Sequence, residues 1–420
     1  MHLLSKKLIF HIDVNSAYLS WTAAYLLEKG YETDIRKIPS VIGGNEETRH
    51  GIVLAKSGPA KNYKIQTGET LFSARIKCKN LIVVPPHYDL FKRCSDFMVE
   101  LLNEYTPNIQ RFSCDECFLD FTNMENLYKD PLDLAYEIKG RIEKELGFTV
   151  NIGISNNKLL SKIASDFSKP NKVHTLFPYE IEKKMWPLDV GELFGVGRKT
   201  LKKLNSYGIK TIGDLANFDV DVLKYKLNSY GEQIWKYANG IEDSEVRKSS
   251  YIGMKGMGNS TTTHFDIATK KEAHMVISSL CETIGMRLRK NNSCFNVVSI
   301  HYKTDSFFYR RKQKKLNYST DSTQDIKKEA IKLFDELWEE EPIRQVGVHV
   351  TGLFNNNEVQ LSLLEEGSHE KKKNLDKTID NIRNKYGKYA ISTAQFIDTP
   401  IPPLCGGINE DDYPMMSSLI

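Results

Sequence analysis

The residues best placed to do chemistry are two adjacent carboxylates, Asp115 and Glu116. They sit inside the apolar run Phe112-Ser113-Cys114-Asp115-Glu116-Cys117-Phe118-Leu119-Asp120. The run is short and aromatic, which favours a strand over a buried helix. A buried, unpaired carboxylate is expensive, so a strand carrying two needs a cation or a hydrogen-bond network beside it. On a flat strand the two side chains would point to opposite faces, whereas a tight turn here lets both reach one site. A second apolar strand, Leu8-Ile9-Phe10-His11-Ile12-Asp13, ends in a third carboxylate. Carboxylates at strand ends of one sheet can hold a pair of Mg2+ ions, because magnesium takes oxygen ligands from a few protein carboxylates and from substrate phosphates. Two ions roughly 3.5–4 Å apart can activate an attacking hydroxyl and stabilise the leaving oxygen of a phosphoryl displacement. Standing alone, the Asp115-Glu116 pair is equally compatible with an exposed hairpin tip.

The elements that must position these groups follow from periodicity. Residues 16–30 read as a helix capped at Asn15 or Ser16 and ended by Gly30, with Ala17, Tyr18, Trp21, Ala24, Tyr25, Leu26 and Leu27 apolar. Residues 89–105 place Leu90, Phe91, Phe97, Met98, Leu101 and Leu102 at helical spacing, as a core helix. Residues 132–146 form another helix ended by Gly147, residues 148–154 a strand, and residues 158–168 a helix stopped before Pro170. The order strand, helix, hairpin, helix, strand is the split βαβ arrangement of a ferredoxin-like layer. It sets the Asp13 strand beside the Asp115-Glu116 hairpin. Residues 43–51 read as a polar turn, 51–55 as a strand and 56–68 as a basic stretch containing Lys61.

A length of 420 residues suggests about three domains. No apolar run is long enough to span a bilayer, and residues 1–7 carry charge without the apolar core of a signal peptide. The seven cysteines are odd in number and scattered, which fits reduced thiols in a cytoplasmic protein. Cys114 and Cys117 form a CxxC, but no second Cys/His pair stands at zinc-finger spacing, so they read as small residues flanking the carboxylates. Residues 250–315 contain twelve Lys/Arg against four Asp/Glu, an excess of +8 that exceeds the +4 of the whole chain. This segment is therefore the electrostatic footprint for a polyanion, while the rest is net acidic.

Within residues 186–240, Gly195-Val196-Gly197 opens a helix and a second glycine turn follows at Gly208. The pattern resembles a helix-hairpin-helix, whose backbone N–H groups bind phosphate without reading bases; an ordinary helix pair is the alternative. Residues 248–259 are rich in Gly and Ser and read as a linker. Beyond them, strand-like segments (295–302, 307–312, 344–354) alternate with helical ones (271–290, 323–339). After residue 355 the chain is polar, with a short helix at 375–386 and an end expected to be mobile.

Asp13-Val14-Asn15-Ser16-Ala17-Tyr18, Ser113-Cys114-Asp115-Glu116-Cys117-Phe118-Leu119-Asp120, Gly153-Ile154-Ser155-Asn156-Asn157-Lys158 and Ser168-Lys169-Pro170-Asn171 occur in one order and spacing. In this the chain resembles the Y-family translesion DNA polymerases, in particular the bacterial UmuC-like and DinB-like (ImpB/MucB/SamB) branch, over roughly residues 6–365. The resemblance implies an α+β multidomain, right-hand-like polymerase. Its ferredoxin-like palm would span residues 1–16 and 84–178, small fingers 17–83, a helix-hairpin-helix thumb 179–247, an α/β little finger 248–355 and a C-terminal tail 356–420. It implies template-directed, low-fidelity synthesis past damage without proofreading.

The resemblance also assigns roles. Asp13, Asp115, Glu116 and the Val14 carbonyl would hold two Mg2+ ions, with Mn2+ as a substitute. Tyr18 would be the steric gate against ribonucleotides; as a residue alone it also reads as a core tyrosine. Lys61 and Lys169 would meet the triphosphate, and Lys162 is a weaker candidate. Gly58 stands where many relatives carry a tyrosine, and Lys61 where they carry an arginine, so that contact loses the bidentate fork of arginine. Gly195 and Gly197 would bind the duplex backbone, and Arg310, Arg311 and Lys312 the template backbone. Gln360-Leu361-Ser362-Leu363-Leu364 is similar to the motif that docks on a sliding clamp, with Leu364 where an aromatic is usual; an edge strand or helix start is the alternative. The implied partners are primer-template DNA, deoxynucleoside triphosphates, the clamp and a recombinase or UmuD-like accessory subunit, in the cytoplasm at the nucleoid and away from membranes. Two other readings stay open from the residues: an inactive DNA-binding paralogue and a two-metal nuclease.

Overall fold

The structure is a computed structural model and describes residues 7–47, 49, 51–128, 130–247, 254–355 and 368–405. The pentapeptide at 360–364 lies outside the described residues. Two compact units divide the chain, the first built mainly from residues before 252 and the second mainly from residues after 253.

The first unit opens with β1 (Ile9–Val14) and α1 (Ala17–Glu28). Three short strands follow, β2 (Ser40–Gly43), β3 (Val53–Lys56) and β4 (Ile82–Val84), with α2 (Gly58–Asn62) and α3 (Leu71–Lys77) between the last two. They form a small sheet in the order β3-β2-β4 around Val41, Val53, Ile65 and Leu71. Next come α4 (Tyr88–Asn103), the hairpin of β5 (Ile109–Arg111) and β6 (Glu116–Asp120), α5 (Pro131–Arg141), β7 (Val150–Ser155), α6 (Lys158–Asp166) and β8 (Val173–Thr175). The larger sheet has the order β5-β6-β1-β7-β8. Its first four strands reproduce the expected ferredoxin-like frame, and β8 joins parallel to β7 at the edge.

Period-two alternation sorts the residues of β1. Phe10, Ile12 and Val14 pack with Cys117, Leu119, Ile152 and Ile154, and with Phe91, Met98 and Leu102 of α4 and Leu134 and Ile138 of α5. His11 and Asp13 point the other way, toward α6, where His11 Nδ1 meets Ser165 Oγ at 2.8 Å. Gly153 of β7 stands opposite His11, and a Cβ there would lie 1.9 Å from the Ser161 carbonyl oxygen. Helix α6 therefore rests directly on the backbone of the strand. Its Leu159, Leu160 and Ile163 also pack with the short helices α7 (Ile181–Lys184), α8 (Arg198–Ser206), α9 (Ile212–Ala216), α10 (Val220–Leu227) and α11 (Ser229–Ala238).

Three expectations for this unit change. Phe97 is 53% exposed, because Met98 and Leu101-Leu102 take the inward positions of α4. The helix expected over 132–146 is α5 continued by a π-helical turn, Ile142–Leu146, before Gly147. Ser16 has φ 50 and makes no side-chain cap on α1; the Asn15 side chain is engaged elsewhere.

The second unit comprises β9 (Gly256–Ile267), α12 (Lys270–Lys290), β10 (Ser293–Thr304), β11 (Tyr309–Thr320), α13 (Thr323–Asp335), β12 (Ile343–Thr351), β13 (Phe354–Asn355) and α14 (Ser368–Tyr386). Its sheet runs β11-β10-β12-β9, with β13 paired to β10. Apolar residues of α12 and α13 share one cluster with Val298, Ile300, Tyr302, Val346 and Val348, so the helices cover one face. Of the stretch read as a linker over residues 248–259, residues 256–259 are instead the start of β9. Its glycines serve packing, since a Cβ on Gly258 would lie 2.2 Å from His349 Nδ1.

Residues 368–405, expected within a polar and mobile tail, join this same unit. Arg289 pairs with Asp380 at 2.5 Å, Arg383 with Glu282 at 2.9 Å and Lys372 with Asp325 at 2.7 Å. Phe396, Ile401 and Cys405 enter the apolar cluster, and Asn259 Nδ2 donates to the Cys405 carbonyl at 3.1 Å. Several of the charges that make this stretch look solvated are thus matched by charges on α12 and α13.

Two outcomes follow. Gly153→Ala should destabilise the first unit by at least about 1–3 kcal/mol through overpacking, read as a lower denaturation midpoint. Truncation after Asn355 should lower the calorimetric transition of the second unit; an unchanged transition would show that residues 368–405 contribute nothing to its core.

Candidate active site

Antiparallel register sets Asp13 directly opposite Glu116 on β6 and Asn151 on β7. Asp115 sits in the turn before β6, where its carbonyl accepts from the Val14 N–H at 3.0 Å and its Oδ1 accepts from Ser113 Oγ at 2.5 Å. The turn, rather than a flat strand, carries the Asp115 side chain to the Asp13 end of the sheet.

Like charges opposite one another on neighbouring strands repel, and each strand carboxylate has its own lysine. Glu116 Oε1 meets Lys162 Nζ of α6 at 2.5 Å. Asp13 Oδ2 meets Lys169 Nζ at 2.5 Å, and Lys169 also reaches Asp166 at 2.8 Å. Burial pushes the Asp13 carboxyl up to about 7; Lys169 pulls against this, and Glu116 and Asp115 add to the rise. For Lys169, burial works to lower the pKa, but Asp13 and Asp166 outweigh it and hold the ammonium above its ordinary value.

Asp13, Val14, Asp115 and Lys169 line a cleft of about 710 Å³ with Tyr18, Arg36, Lys56, Gly58 and Lys61. The Tyr18 ring stacks on Phe91 with centroids 4.4 Å apart and planes at 10°, and its hydroxyl meets Cys114 Sγ at 3.6 Å. It is a half-buried residue of the cleft wall, braced from behind by the core. Lys61 is exposed on α2, whose N-cap Ser57 accepts from the Ala60 N–H at 3.1 Å. Lys56 Nζ donates to the Ile65 carbonyl at 2.6 Å, and burial, then Lys61, lowers its pKa.

All seven cysteines are free. Burial pushes the thiols of Cys114 and Cys117 up to about 12, which leaves them protonated and unsuited to zinc or redox chemistry. Among the described residues, no three Asp, Glu, His or Cys side chains converge closely enough to hold a metal ion as they stand. The donor chemistry still suits a hard divalent cation. The groups at issue are carboxylates, and two of them already draw an ammonium each.

Elsewhere in the first unit, Gly195 has φ 91 and its carbonyl accepts from the Tyr230 hydroxyl; Gly197 is the N-cap of α8. In the second unit, strand alternation divides the basic triplet, which was expected to face one way. Arg310 pairs with Glu339 at 2.5 Å and Glu341 at 3.1 Å, and Lys312 with Glu336 at 2.9 Å. Arg311 lies across from His301 on the opposite face, lining a hollow of about 570 Å³ with Ser299, His301, Tyr309 and His349.

Sequence reasoning gave no site role to Arg36, Lys56 or Asn151, read Asn15 only as a helix cap and motif residue, and ranked Lys162 low. For Lys162 a signal existed: Lys158 and Lys162 stand four residues apart on α6, and both are buried, which is the spacing of one helix face.

The impB/mucB/samB family model matches residues 12–166, its C-terminal domain model residues 254–363, and the helix-hairpin-helix motif of the same family residues 178–209. Similar curated proteins include the DNA polymerase IV of Clostridium acetobutylicum, 48% identical over 93% of this chain and 98% of that protein. The DNA polymerase IV of Acetivibrio thermocellus is 35% identical over 92% and 96%. DNA polymerase IV 2 of Bacillus subtilis is 35% identical over 93% and 95%. Among solved structures, a Y-family DNA polymerase chimera of Dbh and Dpo4 superposes with a TM-score of 0.72 at 22% identity, covering 83% of this chain and 100% of that one.

The Asp13 carboxyl titrates near 7 when folded, against an ordinary 3.8. Between those values the folded chain keeps a proton that the unfolded chain has lost. Metal-free stability therefore falls as pH rises across this window, and the full penalty persists above it. Asp13→Asn should stabilise the metal-free protein by on the order of 2 kcal/mol at a pH one unit above the window, and have little effect low in the window. Urea unfolding at the two pH values measures the difference.

Proposed function

The chain belongs to the impB/mucB/samB family of Y-family DNA polymerases and is a DNA-directed DNA polymerase of the translesion class, and on that premise we propose that it works at the cleft beside Asp13, Asp115 and Glu116. The observation that carries the reading is one of register. Asp13 and Glu116 oppose each other across two strands, Asp115 occupies the adjoining turn, and the cleft that Asp13 and Asp115 line is also lined by the Lys61 and Lys169 cations.

Asp13, Asp115 and Glu116, with the Val14 carbonyl, would hold two Mg2+ ions, for which Mn2+ can substitute; such ions acidify the primer 3'-hydroxyl and neutralise charge on the departing pyrophosphate. Lys61 and Lys169 supply positive charge along the cleft wall, where a triphosphate would lie. Their ammonium groups act as point charges and tolerate variation in phosphate geometry. Phe91 backs the Tyr18 ring face to face, which would brace its bulk against a 2'-hydroxyl. At Gly58 the wall is open, since an added Cβ would meet nothing within 4 Å; this leaves the triphosphate contact of α2 to Lys61.

Beyond the cleft, the reading extends to partners. The start of α8 at Gly195 and Gly197 would take a duplex phosphate on backbone N–H groups. Arg311 would take template phosphate on the open face of the second sheet, whereas Arg310 and Lys312 are matched by glutamates. Residues 360–364 would dock on a sliding clamp, and a recombinase or UmuD-like subunit would be an accessory partner. No helix among the described residues is long and apolar enough to cross a membrane, and a polymerase would work in the cytoplasm at the nucleoid.

Primer extension on an undamaged template and on one with an abasic site tests the reading. Asp115→Ala should cut incorporation at least ~100-fold while DNA affinity stays intact. A primer that shortens would mark a nuclease, and one that never lengthens despite binding would mark an inactive paralogue. Tyr18→Ala should raise ribonucleotide incorporation; an unchanged sugar preference would remove the gate.

A further inference from the structure

The loop that carries Lys169 is fastened by two side-chain amides that the proposed chemistry does not use. Asn151 is fully buried on β7, across from Asp13. Its Nδ2 donates to the carbonyls of Ser165 at 2.9 Å and Ser168 at 2.6 Å. Its Oδ1 accepts from the Lys172 N–H at 3.2 Å and from Asn15 Nδ2 at 3.1 Å. Asn15 Oδ1 in turn accepts from the Asn171 N–H at 2.8 Å and the Thr149 hydroxyl at 3.0 Å. The bonds to Ser168, Asn171 and Lys172 bracket Lys169 on both sides.

We infer that Asn151, acting with Asn15, is a positioning residue that holds Lys169 at the cleft wall before nucleotide arrives. The inference rests on the reading in which Lys169 meets the triphosphate. Its physical basis is preorganisation. A lysine on an unfastened loop must lose backbone and side-chain freedom when it binds, and that cost weakens nucleotide affinity. The chemistry is specific to an amide, which has two donors and a doubly accepting oxygen. The donors satisfy carbonyls at the end of α6 that lack helical partners, while the oxygen takes two N–H groups. An aspartate would set oxygens against two carbonyl oxygens, and a serine cannot span both sides.

The test is a double-variant cycle of Asn151→Ser and Lys169→Ala, reading KM for deoxynucleotide and kcat separately, with amide exchange at Asn171 and Lys172 in the metal-free protein. Asn151→Ser should raise KM about 10-fold, the equivalent of about 1.4 kcal/mol, with a much smaller change in kcat and faster exchange at Lys172. Added to Lys169→Ala, it should raise KM little further. If Lys169→Ala raises KM but Asn151→Ser does not, or the two effects add in full, the positioning role is overturned and the role of Lys169 stands. If Lys169→Ala leaves KM unchanged, the triphosphate role falls and this inference with it. Should Asn151→Ser fail to fold, Asn15→Ser removes the Asn171 arm together with the Asn15 bonds to Asn151 and Thr149, leaves the Asn151 bonds to Ser165, Ser168 and Lys172, and is judged by the same criteria.

Discussion

Two carboxylates facing each other across an antiparallel strand pair is the constraint on which the rest of the first unit depends. Asp13 and Glu116 repel, and Asp13 is nearly out of water, so the pair is tolerable only with positive charge at hand. Lys162 and Lys169 supply it, one from within α6 and one from just beyond it. That requirement fixes where α6 must lie, and the bare backbone at Gly153 lets it lie there. The same helix turns its apolar face to the short helices after residue 180. A demand for charge neutralisation at one sheet end thus ties two layers of the unit together.

The site is unfavourable as a stability element and apt as a chemical one. Charges this close are expensive to bury, and burial pushes the Asp13 carboxyl up to about 7. A divalent cation would relieve the repulsion that the lysines now moderate. Taking that cation requires the ammonium of Lys169 to give up Asp13, which would leave it available to phosphate. In the proposed reading, the tension at Asp13 would be part of what makes the cleft responsive to a metal-bearing triphosphate.

What was legible in the sequence was local. The strand that carries Asp13, the tight turn at Asp115 and Glu116, and the stop at Gly147 each rest on a few neighbouring residues, and the ferredoxin-like order follows from them. What was not legible depends on partners distant in sequence. Gly256 and Gly258 look like linker until His349 is seen filling the space beside them. Phe97 and Met98 are both apolar, and only the neighbouring sheet decides which one turns inward. Asn151 is one polar residue in a strand until the loop 20 residues on closes over it. Arg289 and Asp380 lie far apart in sequence, so their pairing, and with it the docking of residues 368–405, is not a local property.

The division of the basic triplet on β11 has a consequence for ionic strength. Association with a polyanion releases condensed counterions, and the steepness of its salt dependence counts the phosphates that the protein newly neutralises. Arg310 and Lys312 bring their own glutamates, so they release few counterions unless those pairs break first. Of the three adjacent cations on this strand, Arg311 is the one on the face away from these glutamates. The excess of +8 in residues 250–315 therefore overstates the number of counterions that this segment would exchange, and any association it makes with nucleic acid should slacken with added salt less steeply than its composition suggests.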